Sequence, residues 1–440
     1  MNILDYIKYT LYNIVCIFGT KMEFNIDSCE TIEKLSVLKA GAVFMNTDEE
    51  KDRFAVKLIS SQLSEIDFII WIAPASFFAN DNYRAIMKKY GCGLIRKMRF
   101  FSIEAVSMSD DKYLQLYSLC DKYRTFCVVD DSLTIKNTEA GRTKRLLSIH
   151  KKFKFRLILS AIPLTQGLID LYSQIKFIDS GILNMTEGQF SNCFLPFYQD
   201  DYQTWKRWST PENEYRLIKI MKPYIYRCDI KDWNTNICYH NCNFELTPAE
   251  AESYRQEKEK FLEDKEQVAF MEVAQRFQHI YTIAEKKVEA LFRLLEEIRK
   301  RREKVLIYTK YLDEIVFLKE TGFFSKGKYV EMTGKSNKRQ SIRMFENDVD
   351  IMLCTYRVDR LNLSLRHCDN IIYFSQTFDY KDKLQSLYNL HHHETERRIN
   401  VYNFWVNTGL EGLIRDNLDR KRNVLANVCS LMSREAALKL

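Results

Sequence analysis

Phe126–Asp131 reads FCVVDD and Arg156–Gln174 reads RLILSAIPLTQGLIDLYSQ, with RTKR at Arg142–Arg145 between them. FCVV and LIL are short apolar runs bounded by polar residues, the pattern of strands buried on both faces. Asp130 and Asp131 stand where the first run ends. Ligands bind outside the carboxyl ends of parallel strands, and adjacent carboxylates there suit a metal–nucleotide site, with Asp130 holding Mg²⁺ through water. The alternative is that both carboxylates only cap the following turn. Outward from this stretch, Val37–Asn46 (VLKAGAVFMN) and Asp67–Ala73 (DFIIWIA) read as further strands, separated by helical patterns near 50–64, 78–90, 110–122 and 139–152. Strands alternating with helices argue for a parallel sheet covered on both faces. A second series follows, with strands at Lys304–Thr309 (KVLIYT), Tyr329–Met332, Ile351–Cys354, Asn370–Phe374 and Val401–Phe404. The fold class is therefore α/β, in two halves.

The middle of the chain is helical. Thr247, Pro248 and Glu250 give an N-cap hydroxyl, a first-turn proline and a capping-box glutamate. Ile280, Ile283, Ala284, Val288, Leu291, Leu295 and Ile298 recur at helical steps and predict one apolar stripe. The run Arg299–Arg302 closes that segment, either as a solvated helix end that complements the dipole or as a phosphate contact.

Composition narrows the classes. Of 440 residues, 46% are hydrophobic and 28% charged, which favours neither a disordered chain nor a membrane bundle. Only 13 Gly and 6 Pro occur, so collagen and loop-rich sandwiches are excluded. The net charge of +7 permits a polyanionic partner without requiring one. Twelve scattered cysteines without a CxxC pair predict reduced thiols and a cytoplasmic location, the host cytoplasm if the chain is viral. Tyr6–Phe18 is apolar but interrupted by Lys8 and too short to span a bilayer, so an amphipathic helix and no membrane partner are expected.

The order of motifs resembles the Swi/Snf family of superfamily-two DNA translocases, in a compact form found in phage and mobile-element genomes. The resemblance covers most of residues 36–420. Val128–Asn137 (VVDDSLTIKN) is similar to the Walker-B box, with Asp131 where the family has glutamate, and Leu159–Gln166 (LSAIPLTQ) to the third motif. Trp71–Gly91 resembles the segment that grips one DNA strand. Arg216–Ile230 and Phe244–Tyr254 resemble the lead into the second half, and Gly334–Phe345, Ile351–Tyr380 and Leu384–Phe404 follow in the order of the last motifs. The resemblance implies two RecA-like lobes, each a mainly parallel sheet flanked by helices, joined by a helical segment. It predicts an N-terminal helical extension over 1–35, a first lobe over 36–205, a helical linker or insertion over 206–303, a second lobe over 304–408 and a C-terminal helix over 409–440.

The departures from the family fall on its chemistry. A Walker-A loop needs glycines whose N–H groups close on phosphate, a lysine, and a hydroxyl for Mg²⁺. The matching stretch here is Asn46–Arg53, in which only Lys51 keeps its role. Asp48 and Glu50 replace glycines and Asp52 replaces the hydroxyl. At about 4 Å and an effective dielectric near 20, each carboxylate–phosphate pair costs on the order of 4 kcal/mol. Ala161 and Ile162 replace the Gly-Thr of the third motif, and Arg357–Arg360 (RVDR) replace the glycines of the fifth, where Asn362 and Leu363 remain. Asn389 and His392 stand where the sixth motif presents arginines, and losing an arginine finger removes roughly 10³–10⁵ in rate.

The resemblance therefore implies a helicase-like pseudoenzyme that binds double-stranded DNA across both lobes, with ATP binding lost or Mg-ATP held only weakly. DNA contacts are expected from Ser76, the Asn80–Arg84 neighbourhood including Arg84, Thr165, Gln166, Lys338 and Arg339. One alternative is a weak DNA-stimulated ATPase using Lys51, Asp130 and Asp131, with His392 as a degenerate finger. Another is a scaffold subunit that holds a replication or transcription protein. Three further patterns carry less. Gly322–Lys328 satisfies GxxxxGK, but Tyr329 follows and a strand comes next, so a loop is expected. Cys228, Cys238, His240 and Cys242 could ligate zinc, yet the C-x-H-x-C part alternates as on a strand. His391, His392 and His393 diverge on a helix and form a polar surface.

Overall fold

The computed structural model describes residues 26–45, 48–79, 94–199, 205–226, 237–263, 270–324, 329–356, 365, 368–388, 390 and 398–432. Arg84, the sixth-motif residues Asn389 and His392, RVDR at 357–360, Tyr6–Phe18, Cys228 and the histidine run lie outside them. The chain forms two compact units, residues 1–230 with 424–440 and residues 231–423.

The first unit holds a six-stranded sheet of β1 (Ala40–Phe44), β2 (Phe68–Ala73), β3 (Met98–Ser102), β4 (Thr125–Asp130), β5 (Phe155–Ser160) and β8 (Ile225–Tyr226). Its order is β3-β2-β4-β5-β1-β8, and every neighbouring pair is parallel. A small antiparallel ribbon pairs β6 (Phe197–Gln199) with β7 (Trp205–Arg207). The central strands are buried along their whole length, which is why they read as unbroken apolar runs. Trp71, Phe126 and Phe155 centre one face, the last two stacked at 5.3 Å.

The second unit repeats the plan with β9 (Ile237–Phe244), β10 (Lys304–Thr309), β11 (Tyr329–Met332), β12 (Ile351–Thr355), β13 (Cys368–Tyr373) and β14 (Ile399–Val406). The order is β11-β12-β10-β13-β14-β9, again all parallel. Alternate residues of β10 feed opposite faces. Leu306 and Tyr308 pack with Met332 and Ile371, while Val305 and Ile307 pack under Leu291, Leu295 and Ile298 of the helix Glu285–Lys300.

Several boundaries differ from the sequence expectation. The first strand begins at Ala40, because the helix Ile26–Leu38 runs through residue 36 and ends at Lys39, whose φ of 56° turns the chain into β1. Gly41 takes that turn closely: a Cβ there would lie 3.0 Å from Leu35 Cδ1. β3 and β8 are additional strands, short and half-polar, with a weak alternation signal. The stretch expected as a linker is divided: Pro211–Met221 and β8 go with the first unit, β9 and the helices Pro248–Glu263, Phe270–Tyr281 and Glu285–Lys300 with the second. The capping box at the start of Pro248–Glu263 is present, with Thr247 N–H donating to Glu250 Oε2 at 2.8 Å and Glu250 N–H to Thr247 Oγ1 at 3.4 Å. The apolar stripe spans two helices rather than one, because the chain turns at 282–284 and leaves Ile283 exposed. Cys238, His240 and Cys242 lie along β9, where His240 stacks on Tyr402 at 4.6 Å. No described helix is long and apolar enough to cross a membrane.

Candidate functional site

The strand order of the first sheet places three chain segments at one edge. β1 is separated from β4 only by β5, and Phe44 pairs with Ser160 while Asp130 pairs with Leu159. The residues after β1, β4 and β5 therefore meet outside their carboxyl ends, at a topological switch point.

After β1 the chain enters the helix Asp48–Ser61. Asp48, Glu49 and Glu50 form its first turn, where the positive end of the macrodipole favours negative charge. A phosphate would use that same field. Lys51 and Asp52 are 4% and 1% exposed. Across the edge, Asp130 ends β4 and is also 4% exposed. Lys51 Nζ donates to Asp130 Oδ1 at 2.8 Å, an ion pair with both side chains 6% exposed. The same Oδ1 accepts the Asp131 N–H at 2.8 Å. Asp131 has φ 50°, a left-handed turn that Gly, Asn and Asp adopt more readily than other residues, and its carbonyl accepts Thr134 Oγ1 at 2.8 Å.

The loop after β5 is held from below by one helix. Asp170 and Gln174, on Ile169–Ile178, are 1% and 0% exposed. Asp170 Oδ2 accepts the N–H of Thr165 at 2.6 Å, its hydroxyl at 3.1 Å and the N–H of Gln166 at 2.7 Å. Lys136 Nζ donates to Thr165 Oγ1 at 2.9 Å and pairs with Asp170 at 3.4 Å. Gln174 Nε2 donates to Pro163 O at 2.8 Å, while its Oε1 accepts Ser132 Oγ at 2.6 Å. Ser132 lies two residues beyond Asp130, so the carboxylate turn and the third-motif loop are cross-linked. Gly167, with φ 124°, closes the loop in a conformation costly for any side chain.

Of the residues expected to contact DNA, Thr165 is 3% exposed with its hydroxyl committed to Asp170, so it shapes the loop and does not offer its side chain outward. Gln166 is exposed at the loop tip. Ser76 lies in the short helix Ala75–Ala79 after β2. Lys338 and Arg339 open the helix Lys338–Asn347, whose N-cap Asn337 Oδ1 accepts Gln340 N–H at 3.3 Å. Basic residues in a first turn oppose the helix dipole, which makes them poor stabilisers and suits them to an anion. Lys136, Asp170 and Gln174 were not singled out in the sequence. Their signal is the polar set Asp170, Ser173 and Gln174 at steps of three and four on an otherwise apolar helix.

Residues 101–310 match the SNF2-related domain. An ATP-dependent helicase of Mycoplasma pneumoniae is 21% identical over 302 residues, 63% of this chain and 28% of that protein. One of Mycoplasma genitalium is 21% identical over 347 residues, 72% and 32% respectively. The chain thus spans about a third of the length of these curated relatives. Among solved structures, the Sulfolobus solfataricus SWI2/SNF2 ATPase core in complex with dsDNA superposes with a TM-score of 0.41 at 16% identity, covering 93% of each chain. Residues 101–310 are thus similar to the SNF2-related domain, and the chain folds as two units, each built on a parallel sheet flanked by helices.

Proposed function

We propose that this protein binds double-stranded DNA through its two RecA-like lobes and has lost most or all of its use of ATP. The Lys51–Asp130 ion pair carries the reading. Lysine and aspartate are the two groups that would take the phosphates and Mg²⁺, and here each is the other's partner in a buried setting. Asp52, buried where a hydroxyl would assist the metal, adds negative charge beside the phosphate path. The residues present do not fit Mg-ATP, and no step is drawn through it. The loop Pro163–Gln166, by contrast, keeps internal hydrogen bonds to Asp170, Lys136 and Gln174 with Gln166 exposed, and Lys338 and Arg339 open a helix beyond the carboxyl end of β11, which supports a retained DNA contact.

The test is thermal unfolding with and without millimolar Mg-ATP. A ligand raises the melting temperature only above its dissociation constant, so no shift is expected. A rise of several degrees would favour the weak-ATPase alternative.

A further inference from the structure

The amino edge of the second sheet carries cations that the site above leaves unused. The helix Glu285–Lys300 ends in a Schellman turn: Arg302 N–H donates to Arg299 O at 3.0 Å and Glu303 N–H to Ile298 O at 3.3 Å. Arg302 sits at the left-handed position with φ 58°. Glycine is the usual occupant there, because a Cβ crowds the neighbouring carbonyl. An arginine at that point keeps a charge at a cost to the backbone. The helix dipole accounts for Arg299 and Lys300 in the last turn, but it does not account for Arg302 beyond it.

Arg299, Lys300, Arg301 and Arg302 are all exposed. Arg301 pairs with Glu303 at 3.0 Å. The side chains of Arg299, Lys300 and Arg302 make no hydrogen bond or ion pair among the described residues. Lys39 occupies the equivalent junction of the first lobe with φ 56°, but its charge is engaged, by Glu65 at 3.7 Å and the Phe155 ring at 5.6 Å. Arg398 opens β14 two strands from β10, roughly 10 Å along the same edge, and is exposed, donating to Cys238 Sγ at 2.6 Å. The acids at this edge are Glu303, engaged by Arg301 and Asn370, and Asp348, Asp350 and Asp369. Asp348 and Asp350 precede β12 on the other side of β10, and Asp350 faces Lys304 at 3.9 Å. Asp369 lies on β13 between β10 and β14, and Glu296 and Glu297 precede Arg299 on the helix, so the five cations Arg299, Lys300, Arg301, Arg302 and Arg398 leave the β10–β14 side with a small positive surplus over these acids and Glu303.

We propose that Arg299, Lys300 and Arg302, flanked by Arg398, form a second contact for a nucleic-acid phosphodiester backbone. It lies at the opposite end of the sheet from Lys338 and Arg339, which follow the carboxyl end of β11. A strand of four to six residues puts the two faces roughly 13–20 Å apart and pointing away from each other, so one short straight duplex does not reach both. The inference rests on the DNA-binding reading above. It adds that the second lobe can hold two duplexes, or two arms of one bent molecule. The contact is to backbone phosphate and is blind to sequence.

The experiment uses the full chain with two short random-sequence duplexes carrying donor and acceptor dyes, read by energy transfer for bridging and by anisotropy for single-duplex binding. The wild-type chain is expected to bridge. Arg299→Glu with Lys300→Glu and Arg302→Glu should abolish bridging while keeping single-duplex affinity within about threefold and its log K against log salt slope unchanged. Arg302→Gly should weaken bridging while holding or raising the melting temperature, which separates lost charge from lost fold. Bridging unchanged in the triple variant would overturn the proposal. So would a wild-type chain that binds one duplex and never bridges, or a triple variant that fails only with an acidic peptide as ligand. If the wild-type chain binds no duplex, the DNA reading falls and this contact with it. Binding lost in the triple variant but unchanged by Lys338→Glu with Arg339→Glu would keep the contact and remove the motif face.

Discussion

Lys51 is the residue on which sequence and structure bear most directly. The family resemblance singles it out, as the one residue of Asn46–Arg53 that matches a phosphate loop. Its partner was not, because Asp130 is 79 positions away and meets it only through the strand order. An ion pair with both side chains 6% exposed is costly to break from one side, because the remaining charge stays buried. Lys51→Met is therefore expected to cost about 3–5 kcal/mol in urea unfolding, and Lys51→Met with Asp130→Leu to recover most of it. If the single variant were as stable as the double, the pair would have no structural role. Thr165 teaches the converse. Its motif position pointed to DNA, yet its hydroxyl is used up inside the loop, and Gln166 takes the exposed place.

Among elements, the helix Leu312–Glu320 shows how a cap can become a titrating group. Glu314 is its capping-box residue, and Oε1 accepts Tyr311 N–H and Ser375 Oγ, both at 3.0 Å. Burial raises its pKa to about 7 from the ordinary 4.5, opposed by the Lys287 charge and by these hydrogen bonds. Burial lowers Lys287, whose ammonium donates to Thr282 O at 2.7 Å and lies over the Phe374 ring at 4.3 Å. Glu411, also buried, is raised for the same reason. A carboxyl whose folded pKa exceeds its unfolded one stabilises most below pH 4.5, and that contribution is lost as the pH rises through 7. Lys383, lowered by burial to about 7 from 10.5, acts in the opposite sense between those values. Glu314→Gln should flatten the pH dependence between pH 5 and 7, where the wild-type chain loses up to ~1.4 kcal/mol per pH unit from this group. Urea midpoints measured at half-unit pH steps check it, and parallel curves for the two proteins would refute it.

At the scale of the whole molecule, the DNA reading makes a collective prediction. Contacts expected from the Gln166 loop in the first lobe and from Lys338 and Arg339 in the second should add. With four to six phosphates neutralised, log K is expected to fall with log salt at a slope of about −4 to −5. Lys338→Glu with Arg339→Glu should reduce the slope by about two and weaken all sequences alike. Anisotropy with a random duplex from 50 to 300 mM salt reads this, and a flat response would favour the protein-scaffold alternative.

The sequence by itself determined the α/β class, both parallel series and most strand positions. Strands such as FCVVD and KVLIYT are buried on both faces, and that requirement is written locally as unbroken apolar runs. It also determined the family resemblance, because motif order is a property of the chain. Only the tertiary structure decided where the segment between the sheets belongs, since β8 carries little local signal and is a strand because an edge of β1 is there to pair with, while β9 alternates as a strand does but its place at the edge of β14 is not written in that alternation. It alone decided that Lys51 closes on Asp130, that Asp170 and Gln174 organise the loop of Thr165, and that Arg302 holds a left-handed turn. Each of these depends on groups brought together across strands or on a backbone angle fixed by its neighbours, and neither is encoded in the spacing of residues along the chain.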